Sequence, residues 1–292
     1  MATMREIRTR IKTVRNIQKI TRAMKLVAAA RLRRAQERVT AARPYAEMME
    51  QMMRRLSAAG ASAEHPLLQV REERNIAVLV ISSDRGLCGS YNTNLFRVAT
   101  NFLKGRDPAT VRMVLFGRKG ERFFRRRPYA ILDAQPLGSG AALSFADVQP
   151  IVRTLRAMFE SAEVDAVYVI YQKFKSAMTQ EPTVLQLLPL KPPEEAVQVI
   201  EKAQASGGDM IFEPDPESLL ERLLPRYVDT QVFRTTAEAV ASEHGARMTS
   251  MSSATENAGQ MIDTLTLSLN RARQAAITKE IAEIVSGAEA LK

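Results

Sequence analysis

The residues best suited to chemistry follow the first predicted strand, in the stretch "SSDRGLCGSYN" (82–92). It places hydroxyls, a carboxylate and the single cysteine, Cys88, at the carboxyl end of a strand, where parallel sheets bind ligands. Its glycines do not follow the G-x-G-x-x-G spacing of dinucleotide sites, and the sequence contains no G-x-x-x-x-G-K-[ST] phosphate loop. The pattern therefore favours a tight strand-to-helix turn at Gly86 and Gly89, with Cys88 as a small packed residue, over an active site.

Metal and cofactor sites have few candidate ligands in this sequence. His65 and His244 are the only histidines, and a single cysteine excludes an internal disulfide and suits a reducing compartment. No apolar run approaches the ~20 residues that span a membrane. We expect no cofactor, no metal and no catalytic residue. A Rossmann-type enzyme remains an alternative, although its glycine fingerprint is missing.

Positive charge is concentrated at the N-terminus. Residues 1–43 hold thirteen lysines and arginines and two acids, whereas the whole chain has a net charge of +10. Such a segment could be a transit peptide, bind nucleic acid, lie on an anionic membrane or be a solvated helix face. It contains no serine, which disfavours a transit peptide. It also contains no aromatic residue, which disfavours a coiled coil that binds nucleic acid.

An apolar stripe runs through residues 1–58, which we predict to form one long helix. Its members are Ile7, Ile11, Val14, Ile17, Ile20, Met24, Val27, Leu32, Ala35, Val39, Ala42, Ala46, Met49, Met53 and Leu56. Spacings of three and four residues are typical of a helix packed on another helix. Pro44 should bend this helix, because proline removes a backbone hydrogen bond.

A second stripe in residues 217–292 predicts the partner helix. It follows a four-three alternation through Ala237, Ala241, His244, Met248, Met251, Thr255, Ala258, Ile262, Leu265, Leu269, Ala272 and Ala276. Both helices leave the same central domain, so they should pack antiparallel as a coiled coil. Counting along them puts Met24 opposite the neighbourhood of Arg247 and leaves the C-terminal helix longer by roughly 20 residues, or roughly 30 Å.

The overhanging end of the C-terminal helix carries its own apolar stripe. Its members are Ile277, Ile281, Ile284, Ala288 and Leu291. A stripe of this kind must be buried, and no segment of this chain is left to bury it. We therefore expect a partner protein to cover it.

The central residues, 74–190, predict an α/β domain. Buried strands are expected at 75–83, 110–117, 129–133, 165–174 and 183–190, with helices at 93–103, 118–126 and 144–162. Alternating strands and helices imply a Rossmann-like domain with a mostly parallel sheet. Residues 191–216 are rich in proline, glycine and acids and are expected to form a linker.

Three segments resemble the gamma subunits of F-type ATP synthases. They are "IKTVRNIQKITRAMKLVAAARLRRAQ" at the start, "SSDRGLCGSYNTNLF" after the first strand and "ENAGQMIDTLTLSLNRARQAAITKEIAEIVSGA" at the end. The resemblance implies a non-catalytic rotor shaft inside a ring of three alpha and three beta subunits. Its base would sit on a membrane ring of c subunits and bind the epsilon subunit, on the cytoplasmic face of a bacterial plasma membrane.

The same resemblance implies particular contact residues. Arg273 and Gln274 would contact the beta subunit, with Thr278 and Glu280 nearby. Met24 and Arg247 would lie at a lower contact level. The stripe from Ile277 to Leu291 would turn in an apolar sleeve at the top of the ring. Proton or sodium flow would turn the shaft and drive ATP synthesis.

Overall fold

The computed structural model describes residues 3–58, 65–138, 143–190 and 215–290. The elements, in chain order, are α1 (Met4–Ala58), β1 (Ile76–Ile81), α2 (Tyr91–Leu103), β2 (Val111–Phe116), α3 (Arg118–Phe124), β3 (Ala130–Gln135), α4 (Phe145–Glu160), β4 (Ala166–Phe174), β5 (Gln180–Leu188) and α5 (Pro216–Ala290). The predicted fold class is confirmed: a long helix lies at each end of the sequence and a mostly parallel sheet lies between them.

Contacts divide the chain into two compact units. The first comprises Met1–Ala29 with Arg247–Lys292, and the second comprises Ala30–Ala246. Each boundary falls inside a terminal helix, and not at the helix ends where the sequence suggested domain boundaries. The predicted linker lies almost wholly outside the described residues, which resume at Asp215. Asp215 caps α5 by accepting hydrogen bonds from the Ser218 amide and hydroxyl, both at 2.8 Å, and these bonds lower the pKa of its carboxyl.

The second unit is built on a five-stranded sheet in the order β3-β2-β1-β4-β5. The pairs β1–β2, β1–β4 and β2–β3 are parallel, and only β5 runs antiparallel, against β4. All six residues of the central strand β1 are buried because helices cover both of its faces.

Two apolar cores lie on opposite faces of this sheet. On one face, α2 and α3 bury Leu95, Ala99 and Phe124 against the strands. On the other face, α4 packs together with Leu56 of α1 and Leu220, Leu224, Val228 and Val232 of α5. The two terminal helices therefore contribute directly to the core of the sheet unit, and this burial is the main source of its stability.

Hydrogen bonds also attach α5 to the sheet within this unit. The Ser242 hydroxyl donates to the Gln172 carbonyl at 2.8 Å, and the Tyr91 hydroxyl donates to the Ala239 carbonyl at 3.1 Å. Gly245 allows a close approach at the same place, because a Cβ there would lie 3.1 Å from the Ala177 carbonyl oxygen. Burial of this region, followed by the nearby Glu238 carboxylate, raises the pKa of Tyr171 to about 12.

Candidate functional site

The loop after β1 uses its polar side chains to hold backbone. The Asp84 carboxylate accepts N–H groups from Arg118, Leu137 and Gly138 at 3.0 to 3.1 Å. The Ser82 hydroxyl accepts the Gly120 amide at 2.8 Å. These groups join the loops at the carboxyl edge of the sheet, which is a structural role.

The tight turn expected in this loop is present. Leu87 and Gly89 have positive φ angles of 62° and 57°. Gly86 lies in the same loop without a positive φ, so of the two predicted glycines only Gly89 has a backbone conformation that favours glycine. Cys88 is buried and packs as expected. Within the described ranges, no group of three or more potential ligands could hold a metal ion.

The first unit contains the antiparallel pairing of α1 with α5. The Thr255 hydroxyl donates to the Thr21 hydroxyl at 2.8 Å, and Lys25 Nζ donates to the Ser252 hydroxyl at 2.9 Å. Contacts therefore move backward along α5 as they move forward along α1. Met24 accordingly faces the region of Ser252, about five residues or ~7 Å beyond the predicted Arg247. Counting from the helix ends failed because these interhelical bonds, and not the helix ends, set the register.

The α5 side of the seam in this unit follows the predicted alternation. Met251 and Ala258 are buried, and the later members are at least half-buried: Thr255, Ile262, Leu265, Leu269, Ala272 and Ala276. The burial ends at Ala276. Spacing alone found this stripe because each member is three or four residues from the next.

The α1 side of the seam differs from the prediction after Val14. Ile17, Ile20 and Val27 are 47%, 59% and 53% exposed, whereas Thr21 and Ala28 are buried and Gln18 is half-buried. Placing the three apolar residues in the seam was therefore wrong. The observed series 7, 11, 14, 18, 21 keeps the four-three alternation, whereas 14, 17, 20 would require two successive steps of three. Continuity of the heptad outweighs the apolar character of single residues.

The predicted contact residues on α5 lie beyond most of the seam. Arg273, Gln274, Thr278 and Glu280 are all exposed, and the Thr278 hydroxyl donates to the Gln274 carbonyl of its own helix at 2.9 Å. Arg247 is buried, and Met24 is half-buried. The first four therefore share one accessible region, and the other two lie about six to seven helical turns, or roughly 30–40 Å, away along the helix axis.

The overhanging apolar stripe is accessible to solvent. Ile277, Ile281 and Ile284 are 48%, 56% and 71% exposed. Their spacing from Arg273 puts them on the same side of the helix as that guanidinium. Leu291 and the side chain of Ala288 lie outside the part of the chain that the structure describes.

Sequence reasoning missed the polar members of the seam on α1. Gln18 Nε2 donates to the Thr255 carbonyl at 3.4 Å and would lie 3.2 Å from a Cβ added to Gly259. The available signal was that Gln18 and Thr21 continue the heptad of Ile7, Ile11 and Val14, but apolar neighbours one residue earlier obscured it.

Terminal helices that pair as an antiparallel coiled coil, together with a doubly wound sheet unit, define an α/β protein that contains a coiled coil. Among the described residues, no helix is both long and apolar enough to cross a membrane. The family model described as ATP synthase matches residues 3–291, and the chain therefore belongs to that family.

Its relatives are gamma chains of this enzyme. It is 49% identical over the whole of both chains to the ATP synthase gamma chain of Desulfitobacterium hafniense. It is 48% identical over the whole of both chains to that of Moorella thermoacetica. Among solved structures, a chain of the Euglena gracilis mitochondrial ATP synthase (OSCP/F1/c-ring) matches with a TM-score of 0.70 and 16% identity, covering 99% of this chain and 94% of that one. A chain of the Tetrahymena thermophila enzyme, from its central stalk and c-ring, matches with a TM-score of 0.60 and 23% identity, covering 80% and 99%.

Proposed function

We propose that this chain is the central rotor shaft of an F-type ATP synthase. It couples proton or sodium flow through a ring of c subunits to ATP synthesis in a ring of three alpha and three beta subunits. The observation that carries this proposal is the end of α5, where the seam stops at Ala276 and Ile277, Ile281 and Ile284 stay exposed. An apolar stripe on an unpaired helix calls for a surrounding protein sleeve. Membership of the gamma-chain family supports the alpha–beta ring as that sleeve.

Torque passes through polar and charged side chains of the same helix. Arg273 offers up to five donors, and Gln274 both donates and accepts. Both side chains are exposed and make no hydrogen bond among the residues described, so they are available to carboxylates on the beta subunit. Thr278 and Glu280 border this contact, while Met24 and Arg247 belong to a lower level. Each charge-assisted bond contributes about 1.5–3 kcal/mol when shielded from water.

The sheet unit forms the base of the rotor. It binds the epsilon subunit and rests on the c ring, so the chain is peripheral on the cytoplasmic face of a bacterial plasma membrane. In this role the chain itself performs no chemistry. The backbone N–H groups bound to Ser82 and Asp84 at the carboxyl edge of the sheet support that view. ATP hydrolysis and synthesis belong to the assembled complex.

The first experiment reconstitutes the chain with alpha and beta subunits and measures ATPase activity per assembled complex. The complex should hydrolyse ATP and the isolated chain should not. Turnover by the pure chain that a point substitution in it abolishes would contradict the non-catalytic role.

The second experiment tests the contact itself with Arg273→Ala combined with Gln274→Ala. The free energy of unfolding should change by less than about 0.5 kcal/mol, because both side chains are exposed. Turnover should fall several-fold while assembly, checked by gel filtration, is unchanged. The matched control is Arg271→Ala, which removes an exposed charge from the same helix. Equal turnover in the double variant and the control would mean that Arg273 and Gln274 are merely solvated.

A further inference from the structure

A layer of polar side chains interrupts the apolar seam of the first unit. Gln18, Thr21 and Thr255 meet there, linked by the 2.8 Å bond between the two threonine hydroxyls and the 3.4 Å bond from Gln18 Nε2 to the Thr255 carbonyl. Gly259 lies beside the same layer, since an added Cβ would lie 3.2 Å from Gln18 Nε2. The layer is thus hydrogen-bonded and bordered by a glycine.

An alternative seam lies one residue away on α1. Ile17, Ile20 and Val27, with Met24 between them, repeat at three-four-three spacing and are apolar, yet the three β-branched residues point to solvent. Turning α1 by one residue, about 100° around its axis, would bury them against α5. The hydrophobic effect favours that turn, whereas the heptad continuing from Val14 and the bonds of the polar layer oppose it.

We propose that Gln18, Thr21 and Thr255 are positioning residues that set the rotational phase of α1 and hold Ile17, Ile20 and Val27 outward. A buried polar layer is a known means of specifying register in coiled coils at a cost in stability. Here the layer keeps an apolar stripe available on the outer surface of the pair. Resting on the proposed rotor function, the stripe's occupant is the surrounding alpha–beta ring.

Two variants of the full chain, each with one introduced cysteine, report directly which face of α1 is buried. Val27→Cys should react quickly with a maleimide and Ala28→Cys slowly, since these positions are 53% and 1% exposed. The native Cys88 is buried at 2% exposure and reacts slowly in every variant. The expected ratio of the two labelling rates is roughly tenfold or more, because thiol reactivity follows exposure.

Removing the layer should reverse this ratio. In the triple variant Gln18→Ala, Thr21→Ala, Thr255→Ala, the isoleucines turn inward, so the thiol at position 27 becomes protected and the thiol at position 28 reactive. Adding Ile17→Ala and Ile20→Ala removes the competing apolar surface and should restore the parental order. The conservative pair Thr21→Ser, Thr255→Ser keeps both hydroxyls and should label like the parent.

Two results would overturn the assignment. Parental labelling in the triple variant would mean that the heptad alone sets the phase. Fast labelling at both positions, without recovery when the isoleucines are removed, would mean that the layer holds the helices together and does not orient them.

The consequence for the rotor is measured separately, as turnover per assembled complex. The triple variant should lose activity several-fold and the serine pair should not. A reversed labelling ratio with unchanged turnover would leave the positioning role intact and refute the stripe's part in the rotor. Parental labelling would refute the positioning role whether or not the chain is a rotor.

Discussion

Ser242→Ala should destabilise the sheet unit through one buried carbonyl. Ser242 is fully buried, and its hydroxyl donates to the Gln172 carbonyl at 2.8 Å. The residue opposite Gln172 in β5 is Pro182, which has no N–H to donate. Alanine therefore leaves this carbonyl, which belongs to a buried residue, without its donor, at a cost of about 1–3 kcal/mol.

Two further variants calibrate that magnitude. Tyr91→Phe removes a bond to the Ala239 carbonyl. This carbonyl lies inside a helix and keeps its backbone partner, so the loss should be about 0.5–1.5 kcal/mol. Ser253→Ala removes an exposed hydroxyl that donates to the Thr249 carbonyl of its own helix, and the change should stay within about 0.5 kcal/mol.

The buried thiol of Cys88 serves as the assay, because it lies in the same unit and reacts only when the structure opens. If opening is fast and reversible, 1–3 kcal/mol corresponds to a roughly 5- to 150-fold faster reaction with a thiol reagent. Urea midpoints from circular dichroism should fall in the same order: Ser242→Ala most, Tyr91→Phe less, Ser253→Ala least. A parental rate and midpoint for Ser242→Ala would show that the Gln172 carbonyl is satisfied by another group, and the reasoning would fail.

Three more outcomes are expected. Burial lowers the pKa of His65 below 6.5, and its neutral Nδ1 accepts the Leu67 amide at 3.1 Å. The stabilising contribution of neutral His65 is therefore complete above pH 6.5 and is lost as the pH falls through the lowered pKa. The variant His65→Gln should make the urea midpoint less dependent on pH across that range. Asp84→Asn should lower the free energy of unfolding by about 1–3 kcal/mol, because the carboxylate accepts three backbone N–H groups and the new side-chain NH2 would face those donors. A urea midpoint equal to that of the parent would contradict this. A protease should trim residues after Ala276 rapidly in the free chain and slowly in the assembled complex, because Ile281 and Ile284 are exposed. Equal protection in both states would argue for burial within the chain.

Local pattern was enough to predict most elements of the fold. The strand β1 was recognisable because a strand covered on both faces is a continuous apolar run, and the sequence "IAVLVI" is buried at every position. The α5 side of the seam was recognisable from Met251 to Ala276 because its members recur every three or four residues. These signals lie within single segments, so a sequence displays them without knowledge of what packs against them.

Tertiary structure decided the features that depend on two segments at once. The sequence of α1 offers two possible stripes after Val14, and in the structure the polar one, with Gln18 and Thr21, is hydrogen-bonded to Thr255 of α5. The register that moved Met24 away from Arg247 comes from the same contacts. Likewise, the need for a hydroxyl at Ser242 arises from a proline in a different strand. Periodicity records which face of a helix is apolar, whereas the choice between adjacent faces is made by the shape and hydrogen bonds of the partner.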